Sequence, residues 1–255
     1  MKEDGTPYVC SFADDFSGSS LNRDKWVPAQ TATSGHTLGG DCWVDDPDNI
    51  IVSNGTLKLI SRRESAPFTC ASPTGDFTTE YTSGSVSTGS KFSQAYGHFA
   101  FRAKFPDAKV IGSHSALWLY PYGKASYGAW PASGEIDVAE YYTKYPDRAI
   151  PTLHYFPADP TTVPITNVWC KIADPWEFHV YEAEWTESTI TITYDGAVCM
   201  KHTISPAAPL IGSAPFDKPF VVILTQVLGS GSNAFDAAAT PLPVTTTIDW
   251  VRVWK

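Results

Sequence analysis

Three carboxylates crowd into six residues of the segment SGEIDVAEYY, residues 133–142: Glu135, Asp137 and Glu140. Acids this close repel one another, so at least one should keep its proton above the usual carboxylate range. A carboxylic acid that is still protonated near neutral pH can donate to a leaving group while an ionised neighbour attacks. That division of labour is the chemistry of glycoside cleavage, and a retaining mechanism needs the two carboxyl groups close together. Strict alternation along a strand would put Glu135 and Asp137 on one face and Glu140 on the other. A β-bulge near Val138-Ala139 would absorb one residue and return Glu140 to the acidic face. The outer Cα atoms would then lie about 13 Å apart, four steps of roughly 3.3 Å. Glutamate arms leaning together would close the carboxyl groups to about 5 Å, the retaining separation. The middle acid, Asp137, would hydrogen-bond the nucleophile and steer its charge between steps.

Two blander readings compete. An exposed acidic strand would mix Lys and Thr with its acids and would lack the flanking Trp130, Tyr141 and Tyr142. A calcium loop favours Gly and Asn between its ligands, where this segment has Ile and Val.

The elements that must position these acids read as short strands. Phe99, Phe101, Ala103 and Phe105 alternate with Ala100, Arg102 and Lys104, and Ile190, Ile192 and Tyr194 with Thr191 and Thr193. Residues 116–120, 135–142, 179–185, 220–227 and 246–254 show the same period of two. Gly, Pro, Ser and Asn clusters between them mark turns, and one short helix is expected over residues 21–27. Many short strands with one apolar face each predict an all-β fold, two antiparallel sheets packed as a sandwich. No linker or repeat divides the 255 residues, so they read as one domain behind a linker at residues 1–8.

The acids outnumber the bases 27 to 18, a net charge of −9 that would repel phosphate backbones and anionic membranes. A neutral sugar polymer is indifferent to that charge, so no nucleic acid and no membrane insertion are expected. No apolar run nears the roughly 18 residues of a membrane span. Met1-Lys2-Glu3-Asp4-Gly5 holds no export segment either, and the expectation is a secreted monomer whose signal peptide is not in this chain. Five cysteines, at 10, 42, 70, 170 and 199, lack zinc-ligand spacing. Cys42 with Cys70 and Cys170 with Cys199 would each close a loop of about 30 residues, worth on the order of 3–4 kcal/mol apiece. The connectivity stays open at this point, with one cysteine left over. Nine Trp residues exceed what a core of this size needs, and indole faces are common stacking surfaces for sugar rings.

The stretch WPASGEIDVAE, residues 130–140, closely resembles the signature of glycoside hydrolase family 16 in its bulged form. Laminarinase-type β-1,3-glucanases, agarases and carrageenases share that form. Weaker resemblances run along nearly the whole chain, among them FADDFSGSSLNRDKW (12–26), DNIIVSNGTLKL (48–59), YGHFAFRAKFP (96–106), ALWLYP (116–121), HVYEAEWT (179–186) and TIDWVRVWK (247–255). The resemblance implies a β-jelly roll whose concave sheet forms an open substrate cleft. It implies Glu135 as nucleophile, Glu140 as acid/base and Asp137 as their assistant, with no cofactor required. It places Trp118 and Trp130 beside the cleaved bond, and Asn49, Arg102 and His154 at positions that contact substrate. A structural Ca2+ ion on the convex face, held partly by Asp249 and by backbone carbonyls, also follows from the resemblance.

The chain departs from the family pattern in places. His114-Ser115 stands where many laminarinases have Trp-Pro, Ile192 where a Trp is frequent, Thr225 to Ser230 for Asn-Leu-Ala-Val-Gly-Gly, and Ala139 at the bulge where a bulky apolar residue is usual. None of these departures replaces one of the three acids. The expected activity is endo-hydrolysis of β-1,3 or mixed β-1,3/1,4 glucan. Sulfated polymers would call for a basic cleft that this composition does not supply. The alternative is a weak or inactive carbohydrate-binding or surface-antigen protein on the same fold.

Overall fold

The computed structural model describes residues 5–123, 125–161 and 165–255. Fifteen strands form the architecture among these residues. They are β1 Cys10–Asp14, β2 Val27–Pro28, β3 Cys42–Trp43, β4 Ile50–Ser53, β5 Thr56–Cys70, β6 Phe77–Ser87, β7 Gly97–Lys104 and β8 Ser113–Pro121, followed by β9 Glu135–Tyr142, β10 Ile150–His154, β11 His179–Trp185, β12 Thr189–Tyr194, β13 Ala197–Thr203, β14 Phe220–Leu228 and β15 Val244–Trp254. Among the described residues helix is confined to α1, Thr31–Ser34, and one 3-10 turn at Gly231–Asn233.

The strands run in the order β10-β9-β8-β14-β6-β5-β15-β7-β11-β12-β13. The front layer, β10 to β6, carries the acids, and the back layer runs from β5 to β13. The two layers are one rolled sheet, because the long strands β5 and β6 pair with each other and each also pairs into one layer. This is the sandwich that the alternation predicts and the jelly roll that the resemblance implies, with its layers joined through β5 and β6.

Period-two patterning explains the packing. Phe99, Phe101 and Ala103 of β7, and Leu117 and Leu119 of β8, point inward and are fully buried. They meet Ile136, Tyr181, Ile190, Ile192 and Val251 in a core that spans both layers. Each fully buried Leu, Ile or Phe contributes about 1.5–3 kcal/mol relative to exposure.

Two corrections concern the chain's start. Residues 21–27 form a turn and not a helix: Lys25 and Trp26 donate back to Asn22 O, and Asn22 Oδ1 takes Asp24 N. Helix cannot continue because Trp26 plugs into the core, its Nε1 donating to Asp14 Oδ2 at 2.8 Å, and Val27 opens β2 against β6. Of the expected linker, residues 1–4 lie outside the described residues. Tyr8 is no linker residue, since its hydroxyl donates to Glu184 at 2.8 Å on the back layer.

Cys42 and Cys70 form a disulfide, as do Cys170 and Cys199, with Cα separations of 5.9 and 5.5 Å. Cys10 is a free, exposed thiol. No helix among the described residues is long and apolar enough to cross a membrane.

Candidate active site

The bulge lies where the acid spacing requires it. On one side of β9, Leu117 and Trp118 of β8 pair with Ala139 and Asp137 and skip Val138. On the other, Ile150 and Thr152 of β10 pair with Glu140 and Asp137, so two steps oppose three. Glu135, Asp137 and Glu140 therefore share one face, while Val138 and Ala139 both enter the core, fully buried. A bulge frees backbone groups from the ladder. Here Tyr194 of β12 donates its hydroxyl to Val138 O at 2.8 Å across the core, holding the bulge from the opposite layer. Just before the strand, Gly134 has φ +83°, and a Cβ there would meet Phe216 and Phe220 at 3.1 Å. A side-chain-bearing residue at 134 would be strained and crowded at once.

The acids line a hollow of about 160 Å³ together with Leu38, Trp43, His114, Ala116, Trp118, Thr225 and Val227. Larger hollows elsewhere, of about 470 and 510 Å³, lack such an acid cluster. Glu135 Oε2 accepts the indole N–H of Trp130 at 2.9 Å. Glu140 accepts Tyr142 Oη at 2.6 Å on Oε1 and Thr152 Oγ1 at 3.2 Å on Oε2. Asp137 is 3% exposed, and His154 Nε2 lies 3.0 Å from its Oδ2 and 3.9 Å from Glu135 Oε1. The imidazole approaches Asp137 off the hydrogen-bonding axis, so this is a close electrostatic contact that leaves Oδ2 without an aligned protein donor. Trp130 lies against the same ring, with centroids 5.1 Å apart.

Electrostatics follow from burial and crowding. Burial, then the charge of Asp137, pushes Glu135 up to about 8. Asp137, deeper still, is raised well above the usual range by burial and then by Glu140. The two acids therefore hold at least one proton between them at neutral pH, the retained proton that the crowding predicts. Burial lowers His114 against the pull of Glu140, whose Oε1 is 3.7 Å from Nε2, so this ring is neutral near pH 7. Burial also raises Tyr142, which stays a donor to Glu140.

A buried carboxylate fixes the loop that covers one side of the hollow. Asp41 accepts from Leu38 N and Trp43 Nε1, each at 3.1 Å, and from Ser83 Oγ and Leu228 N on its other oxygen. Burial raises it to about 6 despite these four donors.

Of the residues that the resemblance places at the substrate, Trp118, Trp130 and His154 do gather around the acids. Trp118 points its Nε1 at Thr225 Oγ1, 3.0 Å away on β14. Asn49 does not face the cleft. It is fully buried, donating to Ile60 O at 2.9 Å and Thr82 Oγ1 at 3.1 Å. Its backbone O would lie 2.4 Å from a Cβ at residue 84, so Gly84 of β6 is what lets the chain approach this closely. Arg102 lies on the back layer, on β7, between the buried Phe101 and Ala103, so its side chain faces outward, away from the acids. There it pairs with Asp249.

That pairing also bears on calcium. A guanidinium occupies the carboxylate that a hard cation would need, and Asp249 belongs to no group of three side-chain ligands among the described residues. Any ion there would take Asp249 only in competition with Arg102 and would draw its other ligands from backbone carbonyls. The one such group is Glu135, Asp137 and His154, whose ligand atoms lie within 4.8 Å of one another. In it Glu135 already accepts from Trp130, and Glu135 and Asp137 share a proton.

Tyr142, Thr152, Trp43 and Tyr194 were not singled out by sequence reasoning. Only Tyr142 carried a signal, as an aromatic flank of the acid motif.

A rolled β-sandwich whose front layer carries a bulged strand with three clustered acids, beside Trp43, Trp118 and Trp130, has the architecture of a glycoside hydrolase. The sequence matches the profile of Glycosyl hydrolases family 16 over residues 42–252, and the chain belongs to that family. Glucan endo-1,3-beta-glucosidase A1 of Niallia circulans is 31% identical over 95% of this chain and 37% of its own length. The Beta-glucanase of Rhodothermus marinus is 28% identical over 96% of this chain and 84% of its own. The chain thus spans little more than a third of the first relative and most of the second. Among solved structures, the laminarinase from Rhodothermus marinus superposes with a TM-score of 0.79 at 26% identity, covering 98% of both chains. A structure from work on endo-acting O-glycanases that gut microbes express to initiate mucin breakdown superposes at 0.82 and 27% identity, over 97% of this chain and 91% of its own.

Proposed function

We propose that this chain is a retaining endo-β-glucanase acting on internal β-1,3 bonds, or on mixed β-1,3/1,4 bonds, of a neutral glucan. The observation that carries this reading is the bulge, which brings Glu135, Asp137 and Glu140 onto one face inside an aromatic-walled cleft. Glu135 attacks the anomeric carbon, with Trp130 Nε1–H orienting its Oε2. When substrate is bound, the proton that the two acids share passes to Asp137, the more deeply buried, so that charge resides on Glu135 at the moment of attack. Glu140 enters the step protonated and gives that proton to the departing oxygen, which leaves the carboxylate that accepts from Tyr142 and Thr152. It then deprotonates the water that hydrolyses the glycosyl-enzyme. His154 sits beside Asp137 and Glu135 as an electrostatic partner for the pair.

No metal or organic cofactor is part of this mechanism. We read the protein as an extracellular monomer, a reading supported by two disulfides in a small domain.

The test is reducing-end release from laminarin, lichenan, agarose and κ-carrageenan by the protein and by Glu135→Gln. Release from laminarin that vanishes in the variant is the expected result. A folded protein that releases nothing from any polymer would overturn the reading in favour of a binding protein on this fold. One observation favours a second substrate class: His114 places a polar ring beside Glu140 where laminarinases stack a Trp. The Keratan-sulfate endo-1,4-beta-galactosidase of Sphingobacterium multivorum is 30% identical over 69% of this chain and 40% of its own length. Desulfated keratan therefore belongs in the same assay, and preferential release from it would move the substrate from glucan to galactoside.

A further inference from the structure

The acid-bearing surface does not stop at β10. Residues 165–171 run antiparallel beside that strand: Leu153 N donates to Ile165 O and Asn167 N to Pro151 O. Isolated bridges pair Thr152 with Thr166 and Arg148 with Lys171. Thr152 faces the acids, since it donates to Glu140, and its hydroxyl lies 3.3 Å from that of Thr166. Alternation puts Arg148 on the same face as Ile150, Thr152 and His154. The indole of Trp169 lies over Arg148, its centroid 5.1 Å from the guanidinium carbon, and the residue is 70% exposed.

This indole is built in. Arg148 is fixed by Asp147 at 2.6 and 2.9 Å and donates to Val168 O at 3.1 Å. Trp169 N donates to Asn167 Oδ1 at 3.0 Å, and Asn167 Nδ2 donates to Cys199 O at 2.8 Å. The next residue, Cys170, is bonded to Cys199. One face of the ring is therefore supported by a cation, and the side chain as a whole is left largely open to solvent. The braced backbone and the guanidinium behind it hold the indole in one orientation, its outer face available to stack on a sugar ring.

We propose that Trp169, backed by Arg148, is an outer binding site for a polysaccharide chain that leaves the acid cleft across β10. The occupant is a neutral sugar chain: its C–H face stacks on the indole while its hydroxyls meet Thr166 and the cleft. The segment lies two strand spacings from β9, roughly 10 Å, so the sugar bound there is beyond the one being cleaved. The site thus discriminates long chains from short ones. It rests on the glucanase reading above.

The test measures binding of laminarin and of laminaritriose in the Glu135→Gln background, with and without Trp169→Ala. Polymer affinity should fall about tenfold, trisaccharide affinity by less, and Trp169→Phe should recover part of the loss. Ile211→Ser, at an 83% exposed site outside the cleft lining, controls for loss of surface apolar area. With Glu135 intact, Trp169→Ala should raise KM for the polymer by a larger factor than it lowers kcat. Unchanged polymer binding and KM in an enzyme that still cleaves laminarin would overturn the outer site and leave the glucanase reading standing. A protein that neither binds nor cleaves any glucan would remove both. Loss of self-association in Trp169→Ala, with glucan binding intact, would make this face a contact between copies and would also overturn the proposal.

Discussion

Front and back layers both collect charged side chains, and they treat them in opposite ways. On the back layer Arg102 meets Asp249, His98 meets Glu182 at 2.9 Å, and His179 meets Asp195 at 2.6 Å. These groups are partly solvated, and the hydrogen bond from His98 lowers Glu182 below its ordinary range. On β9 three acids stand together, no Lys or Arg pairs with them among the described residues, and burial raises Glu135 and Asp137. Opposite charges paired near water cost little and contribute little. Like charges gathered in a half-buried cleft are a burden on folding, and a glycosidase needs that burden for its chemistry.

Five substitutions sharpen the contrast. The largest effect belongs to Glu140→Gln, which should cut laminarin cleavage on the order of 10⁴-fold by removing the acid/base. A drop below tenfold in steady-state rate would remove Glu140 from that role. Asp137→Asn keeps the shape but cannot hold the shared proton. Its kcat should fall on the order of 10²-fold, with KM nearly unchanged. Tyr194→Phe leaves Val138 O without its donor, at a cost of about 1–3 kcal/mol in urea unfolding. Because the bulge sets the position of Glu140, its kcat should fall as well, and a loss of stability with full activity would uncouple the two layers.

The fourth effect is one of pH. Glu135 rises from an ordinary value of 4.5 to about 8 in the folded protein, so the folded state binds more protons in that interval. Stability must then fall as pH climbs from about 4.5 to 8. Glu135→Gln has no charge to bury there, and its melting temperature should exceed the parent's by a margin that widens across the same window. A margin that is flat in pH would show that Glu135 carries no such burden. Smallest is Asp249→Asn on the back layer, expected to cost about 0–1 kcal/mol in the same urea assay.

Much of this was legible in the sequence because a half-buried strand writes its inner face every second residue. The alternations at Phe99–Phe105 and Ile190–Tyr194 are β7 and β12. The bulge was legible too, since acids at 135, 137 and 140 can share a face only if one residue drops out of register. Alternation tells inside from outside but not which layer a strand joins. Arg102 reads as outward and is outward, yet outward on β7 means the back surface and not the cleft. Asn49 shows the reverse error: a polar residue beside a turn was drawn inward because Gly84 leaves room for its backbone. The Tyr194 contact joins residues 56 positions apart across the core, and no local pattern announces it. Residues 21–27 carry helix-compatible residues but a Trp that the core claims.

The central claim is the assignment of two roles to two glutamates on one face of β9. Azide rescue of Glu135→Ala and Glu140→Ala on an activated laminari-oligosaccharide tests it most directly, with the anomer of the glycosyl azide read by NMR. Azide should fill the nucleophile's place in Glu135→Ala and give the α-azide. In Glu140→Ala it should intercept the glycosyl-enzyme and give the β-azide. The reverse pattern would exchange the roles, and α-azide from both variants would contradict a covalent retaining mechanism altogether.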